Sequence, residues 1–415
     1  MEIREDYYKY IDRFAQMIFP QFKINGRYVC YSGVESLELI SSGTFGLGSV
    51  YKDQDGNENV IKFIFPHILE RAQGKREAIE ELQLAWEITN SGIADKPRGI
   101  ISTYAIFNTF NDAGRFIRPD NLIPRKVERH VIEDPKYNVM GIVMENGDTV
   151  ASESYRTYMA RIQPRADADD WLRLFGYYAG ISGQDLQYLR DKGYVHYDLK
   201  PANMIIKFKP EREFPKNAII KLIDWGKIAR KRRDGKYPYN AGTAIFIPGD
   251  VGHFKDPRGV TFDAHPYNNE YSDVFAVGLS LLYHFDFITY AELNQAQQMS
   301  RDGMYRQLNH GDDASTIGKK VYSLVISKLN NSDRFIRLGG VRDAAVGHKL
   351  KLLFSELVIR FIHPATPAND YPHVIPHPLP PDDVARAIRM PQIHHRSTGA
   401  EIAICARKLL EYMEL

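Results

Sequence analysis

Four polar side chains, His196, Asp198, Lys200 and Asn203, stand between apolar anchors in the stretch Gly-Tyr-Val-His-Tyr-Asp-Leu-Lys-Pro-Ala-Asn-Met-Ile-Ile, residues 193–206. Their types match what phosphoryl transfer to a hydroxyl requires. A carboxylate must orient the attacking hydroxyl and take its proton. A second carboxylate and a further oxygen must hold magnesium on the phosphates, and a cation must steady the group in transit. Asp198 can be the base and Lys200 the cation beside it. Asn203, five residues after Asp198, can offer its amide oxygen to the metal. Asp224 follows the strand-like run Lys221-Leu222-Ile223 and precedes Trp225-Gly226, where it can be the main metal carboxylate. Magnesium keeps several of its waters, so two protein oxygens suffice, and manganese could use the same donors.

Such residues need a frame. Short strand-like runs at 26–33 and 36–42 lead to Gly-Ser-Val-Tyr-Lys-Asp-Gln and Asn-Glu-Asn-Val-Ile-Lys-Phe-Ile-Phe, separated by a turn on Asp55-Gly56-Asn57. Residues 75–90 carry helical periodicity, and 98–107 and 138–145 read as two further strands. Between those strands lies a polar, proline-bearing insertion, about 108–136. From about residue 155 the pattern turns mostly helical, with short strand pieces only at 203–208 and 219–225. Residues 4–18 fit an amphipathic helix, 364–382 a Pro/His-rich surface loop, and 400–415 a closing helix.

His-Tyr-Asp-Leu-Lys-Pro-Ala-Asn, 196–203, resembles the catalytic loop H-R-D-L-K-x-x-N of eukaryotic-type protein kinases, and Asp224-Trp225-Gly226 resembles their D-F-G metal motif. Further motifs follow in the family's order. Val60-Ile61-Lys62 is similar to the V-A-I-K strand, whose lysine grips the α- and β-phosphates of ATP. Its partner is expected on the following helix, where Glu77, Glu80 and Glu81 compete. Glu81 has the best apolar face behind it, with Leu82, Leu84, Ala85 and Ile88.

Gly43, Phe45, Gly46, Gly48 and Val50 resemble the glycine-rich phosphate loop, with Val50 two residues later than the usual register. Met144, Glu145 and Gly147 resemble the hinge that meets the adenine edge. Gly242 to Asp250 resembles the end of the activation segment, with Thr243 in place and Asp250 where the family has glutamate; Arg334 is a candidate partner for it. Tyr271-Ser272-Asp273-Val274 is similar to the helix whose aspartate holds the catalytic-loop backbone, and His196 is expected to support the metal motif. The resemblance covers about residues 38–285.

The resemblance implies an α+β, bilobal protein-kinase-like fold: a small β-rich N-lobe with one key helix, and a larger, mainly helical C-lobe. The expected boundaries are an extension at 1–37, the N-lobe at 38–145, the C-lobe at 146–365, and a loop with a closing helix at 366–415. It implies a serine/threonine-type kinase using ATP and magnesium. Lys200 after Asp198, with Thr243 before Asp250, is the pattern of that type rather than of tyrosine kinases, whereas phosphotransferases of the aminoglycoside and choline type usually lack both that lysine and the Gly-Thr … Ser-Asp-Val run. A small-molecule phosphotransferase, another ATP-dependent transfer such as AMPylation on the same fold, and a pseudokinase binding module are the rival readings. The last normally loses Lys62, Asp198, Asn203 or Asp224, and all four are present.

Tyr197 stands where many kinases carry the arginine that grips an activation-loop phosphate, and residues 227–242 contain no serine or threonine. Activity is therefore expected not to depend on Ser/Thr phosphorylation of that segment. Arg230, Lys231, Arg232 and Arg233 read either as a solvated loop or as a docking point for an acidic partner or anionic ligand.

Bulk properties narrow the class. The chain has 415 residues, 44% hydrophobic and 26% charged, with a net charge of +2, so no nucleic-acid partner is implied. Two cysteines, Cys30 and Cys405, make neither a disulfide framework nor a zinc pattern, which suits a reducing, cytoplasmic compartment. The charged N-terminal stretch lacks the apolar centre of a signal peptide, and no run is long enough to span a bilayer. The insertions, and the weak match outside the motifs, would suit a fast-diverging bacterial effector or viral kinase.

Overall fold

The computed structural model describes residues 23–24, 27–28, 38–42, 46–52, 58–64, 66–69, 71–108, 140–146, 170–207, 219–233, 235, 237, 242–264, 270–338, 344–363 and 397–414. The helix expected at 4–18, the turn at 55–57, nearly all of the insertion and the Pro/His-rich loop lie outside the described residues. So do Gly43, Phe45 and Gly147. The fold is mixed α and β. It divides into two compact units, Met1–Lys96 with Ile101–Val150, and Pro97–Ile100 with Ala151–Leu415.

The first unit is built on a five-stranded antiparallel sheet. Its strands are β1 (Glu38–Ser42), β2 (Gly46–Lys52), β3 (Glu58–Ile64), β4 (Thr103–Asn108) and β5 (Met140–Glu145), in the spatial order β1-β2-β3-β5-β4. Along β3 the side chains alternate, Ile61 and Phe63 buried and Val60 and Lys62 half-buried, as the two-residue period of a strand dictates. Helix α1 (Ala72–Thr89) buries Ala78, Leu82, Ala85 and Ile88, one stripe at helical spacing. Its last turn is tied to β4, because the Thr89 hydroxyl meets the Thr103 hydroxyl at 2.6 Å and the Ser91 N–H donates to the Thr103 carbonyl at 2.8 Å.

The second unit is mainly helical. Helix α2 (Asp170–Asp191) leads to β6 (Tyr194–Val195), and β7 (Met204–Lys207) pairs with β8 (Ile219–Leu222). Strand β9 (Ala229–Arg230) returns to β6. Next come β10 (Gly252–Lys255), β11 (Thr261–Ala264), α3 (Glu270–His284), α4 (Tyr290–Ala296) and β12 (Arg306–Gln307). Helices α5 (Ala314–Asn330), α6 (Ala344–Ile362) and α7 (Gly399–Glu414) complete it.

Helix α3 is buried on nearly every side from Tyr271 to Leu282, which marks it as the central rod of the unit. Around it Trp171 and Phe175 of α2 meet Phe354 of α6 edge-on, at 5.1 and 5.0 Å between ring centroids. The closing helix α7 belongs to this core. A Cβ on Gly183 would come within 2.6 Å of the Gly399 carbonyl, so the backbones of α2 and α7 touch there.

The sequence reading leaves residues after 155 with two strand pieces. The second unit holds further short strands, β6 with β9, and β10 flanked by β11 and β12. Two- to four-residue strands carry too few alternations for periodicity to register, and all but the β10–β11 hairpin pair with partners far away in sequence. The short piece Pro97–Ile100 also joins this unit, where the Leu222 N–H donates to the Gly99 carbonyl at 2.7 Å. Among the described residues, no helix is long and apolar enough to cross a membrane.

Candidate active site

The 193–206 stretch is held from below by α3. Both oxygens of the buried Asp273 carboxylate accept consecutive backbone N–H groups, from His196 at 2.6 Å and from Tyr197 at 3.0 Å. Tyr197 thereby sits at φ 66°, the left-handed region that costs a non-glycine residue roughly 1–2 kcal/mol. Its ring is buried in a small cluster with Val195, Ala229 and Tyr237. The turn at Tyr197 sends the chain from β6 into Asp198.

The Asp198 carboxylate accepts four donors. Oδ1 takes the Thr243 N–H at 2.9 Å and the Thr243 hydroxyl at 2.7 Å. Oδ2 takes Lys200 Nζ at 2.8 Å and Asn203 Nδ2 at 3.1 Å. Lys200 Nζ also donates to the Thr243 hydroxyl at 2.9 Å, so Asp198, Lys200 and Thr243 form a closed triangle. Asn203 Nδ2 donates in addition to the Asp198 carbonyl at 2.7 Å. With its N–H groups committed to Asp198, the amide has its oxygen, Oδ1, left to offer a cation.

Strand register brings Asp224 to the same place. Met204 pairs with Leu222, and one step beyond the ladder the Ile223 N–H donates to the Asn203 carbonyl at 3.0 Å. Asp224 then leaves the strand at φ 60° with its side chain exposed. It is the second non-glycine left-handed residue in the loop pair, and strain of this kind concentrates at functional sites.

His196 ties the halves together. Its fully buried ring meets the Ile223 carbonyl through Nε2 at 3.1 Å, and the Asp198 N–H reaches Nδ1 at 3.4 Å. A neutral ring protonated on Nε2 satisfies both contacts. Burial holds the His196 pKa below its ordinary value, against the pull of the Asp224 and Asp198 carboxylates. The Trp225 ring lies 4.7 Å from it.

In the first unit Lys62 Nζ stands 3.8 Å from Glu81, with both side chains about one-fifth exposed. Gly48 is the cross-strand neighbour of Lys62, and Val50, buried, that of Val60. Gly46 must be glycine, since a Cβ there would fall 2.2 Å from the Phe63 carbonyl oxygen. Met144 pairs with Val60, and the Glu145 N–H donates to the Ser102 carbonyl at 2.8 Å. The Glu145 carboxylate accepts the Ser102 N–H in return, at 2.9 Å.

Asp250 is buried in the second unit at the end of the 242–250 segment. The Arg334 guanidinium donates to the Phe285 carbonyl and lies 4.6 Å over the Phe287 ring. Arg230, Lys231, Arg232 and Arg233 are exposed. Arg230 stands 5.7 Å over the Tyr194 ring, and the Lys231 N–H donates to the Gly193 carbonyl at 2.8 Å.

Three residues outside the sequence reading also belong here. Arg306 and Gln297 bind the backbone that follows Thr243. Tyr290 packs its half-exposed ring 5.4 Å from both Phe246 and Tyr283. Burial raises the Tyr290 pKa, with further contributions from Tyr283 and the negative charge of Asp198. No motif or periodicity marks any of the three.

The donor set suits a hard cation: an amide oxygen and a carboxylate, with no sulfur. Among the described residues no group of three or more His, Cys, Asp or Glu could hold a metal ion, and magnesium shared with phosphates needs none. No protein-family model matches the chain, and no curated protein matches it.

Proposed function

We propose that this protein is an ATP- and magnesium-dependent phosphotransferase of kinase-like, bilobal fold, acting on serine or threonine hydroxyls of a protein substrate. The observation that carries the reading is the triangle of Asp198, Lys200 and Thr243 with Asn203 attached. It joins the expected base, cation, segment threonine and metal amide, drawn from positions 198 to 243, into one bonded group.

In this reading Asp198 takes the proton of the acceptor hydroxyl. Four donors already occupy its oxygens, so one must yield. Lys200 is the donor suited to do so: its flexible ammonium can swing from Oδ2 to the transferring phosphoryl, which opens a lone pair on Asp198 and places a cation on the developing charge. Asn203 Oδ1 and the Asp224 carboxylate would hold magnesium, which when bound neutralises phosphate charge. Lys62, steadied by Glu81, would hold the nucleotide phosphates. The buried Cys405 thiol, with its pKa pushed up to about 12 chiefly by burial, is unreactive.

ATP labelled on the γ-phosphate, and separately on the α-phosphate, incubated with the full chain and a mixture of proteins and small molecules, tests the reading. Label from the γ-position should appear on protein Ser or Thr, and Asp198→Ala should reduce it by at least about a hundredfold. Transfer of the α-label would convert the reading to adenylylation. Tight Mg·ATP binding with no transfer of either label would sink it.

A further inference from the structure

Arg306 is 1% exposed, a charged side chain sunk in the core of the second unit. A buried guanidinium is costly unless its donors are satisfied. Here they are satisfied by the backbone of one segment. Nη2 donates to the carbonyls of Ala244 and Ile247, each at 2.7 Å, and Nη1 donates to the Val251 carbonyl. Nε and Nη2 both donate to Gln297 Oε1, at 3.0 and 2.6 Å. Gln297, itself fully buried, donates from Nε2 to the Ile245 carbonyl. Two side chains from beyond α3 thus hold four carbonyls between Ala244 and Val251.

The approach is prepared for. Gly252 has φ 111°, and a Cβ there would stand 3.2 Å from Arg306 Nη1. Strand β12 fixes the arginine by pairing in parallel with β10, and the guanidinium lies 5.7 Å over the Phe254 ring. The first carbonyl gripped, Ala244, directly follows Thr243, whose N–H and hydroxyl both bind Asp198.

We infer that Arg306, oriented by Gln297, is the positioning residue that keeps Thr243 on Asp198, so that the geometry of the base is set from the far side of the 244–251 segment. The inference rests on the proposed phosphotransfer only for its kinetic consequence; the structural coupling stands without it.

The test uses the full chain carrying Arg306→Met, with Gln297→Met as a milder second variant if the first does not fold. Hydrogen exchange should show the Thr243 and Phe246 amides losing protection by about tenfold or more, while α2 keeps its own. In activity assays kcat should fall on the order of ten- to a hundredfold, with KM for ATP within about threefold of wild type. Arg306→Met combined with Thr243→Ala should lose no more than the worse single variant, because both act through one contact. Unchanged protection at Thr243, protection lost equally from α2, or losses that multiply would overturn the inference. If the wild type binds Mg·ATP but transfers nothing, the proposed function fails, and the exchange measurement still decides the coupling.

Discussion

The two units hold their candidate residues by different means. In the first, Lys62 and Glu81 stand on regular elements, a strand and a helix, and meet loosely at 3.8 Å with solvent in reach. In the second, Asp198 takes four donors between 2.7 and 3.1 Å, and a buried carboxylate binds the two amides that precede it. Two non-glycine residues of the two loops that carry Asp198 and Asp224 are left-handed, Tyr197 and Asp224. On the proposed reading, alternation along a strand is enough to aim a long lysine at a flexible phosphate. Holding the proposed base in line with a hydroxyl would require closer control, and the network around Asp198 would supply it at the cost of local strain.

Substitution should expose that contrast. If the proposed phosphotransfer holds, Asp224→Asn, which weakens the carboxylate proposed to hold magnesium, should lower kcat/KM by on the order of 10²–10³, read as phosphotransfer against magnesium concentration. Glu81→Gln, breaking a partly solvated pair, should cost only about fivefold in the same assay. Equal losses would mean that the two units hold their residues with equal stringency.

Next in size is the anchor. Asp273→Ala leaves the His196 and Tyr197 amides without their acceptor and should destabilise the fold by roughly 2–5 kcal/mol in denaturant unfolding. A loss under about 1 kcal/mol would show that the left-handed turn at Tyr197 holds itself.

The last effect is a pH slope. Burial lowers the His284 pKa to about 4 from 6.5, only partly offset by its bond to the Pro201 carbonyl. The unfolded chain therefore binds a proton between pH 6.5 and about 4 that the folded chain refuses. Stability is fully present above that window and falls as pH drops through it, by about 3 kcal/mol from this group. The His196 shift points the same way. Unfolding free energies of wild type and His284→Gln should differ in slope across the window, the variant being flatter; parallel curves would contradict the assignment.

Much of the site was legible in the chain. The spacing of Asp198, Lys200, Asn203 and Asp224 is a local property of two loops, and the order of motifs from Lys62 to Asp273 ranks them. Glu81 could be chosen among three glutamates because Leu82, Ala85 and Ile88 mark the buried stripe beside it. Less was legible where partners are distant. Arg306 and Gln297 reach carbonyls 52 to 62 residues away, and backbone acceptors leave no trace in residue type. Strand β12 beside β10 escaped for the same reason, as did the place of α7 against α2, while the β10–β11 hairpin was too short to show a period.

The sequence by itself determined which atoms are available for chemistry: carboxylates, an amide and ammonium groups at set intervals, each between apolar residues that anchor it. Only the tertiary structure decided how they are held. Asp198 became a fourfold acceptor because Thr243 arrives beside it, and Thr243 arrives because Arg306 and Gln297 grip the carbonyls that follow. Tyr197 became a buried, left-handed turn residue because Asp273 takes its N–H. Residue types can be read along a chain, whereas hydrogen bonds to backbone groups depend on where the folded chain returns.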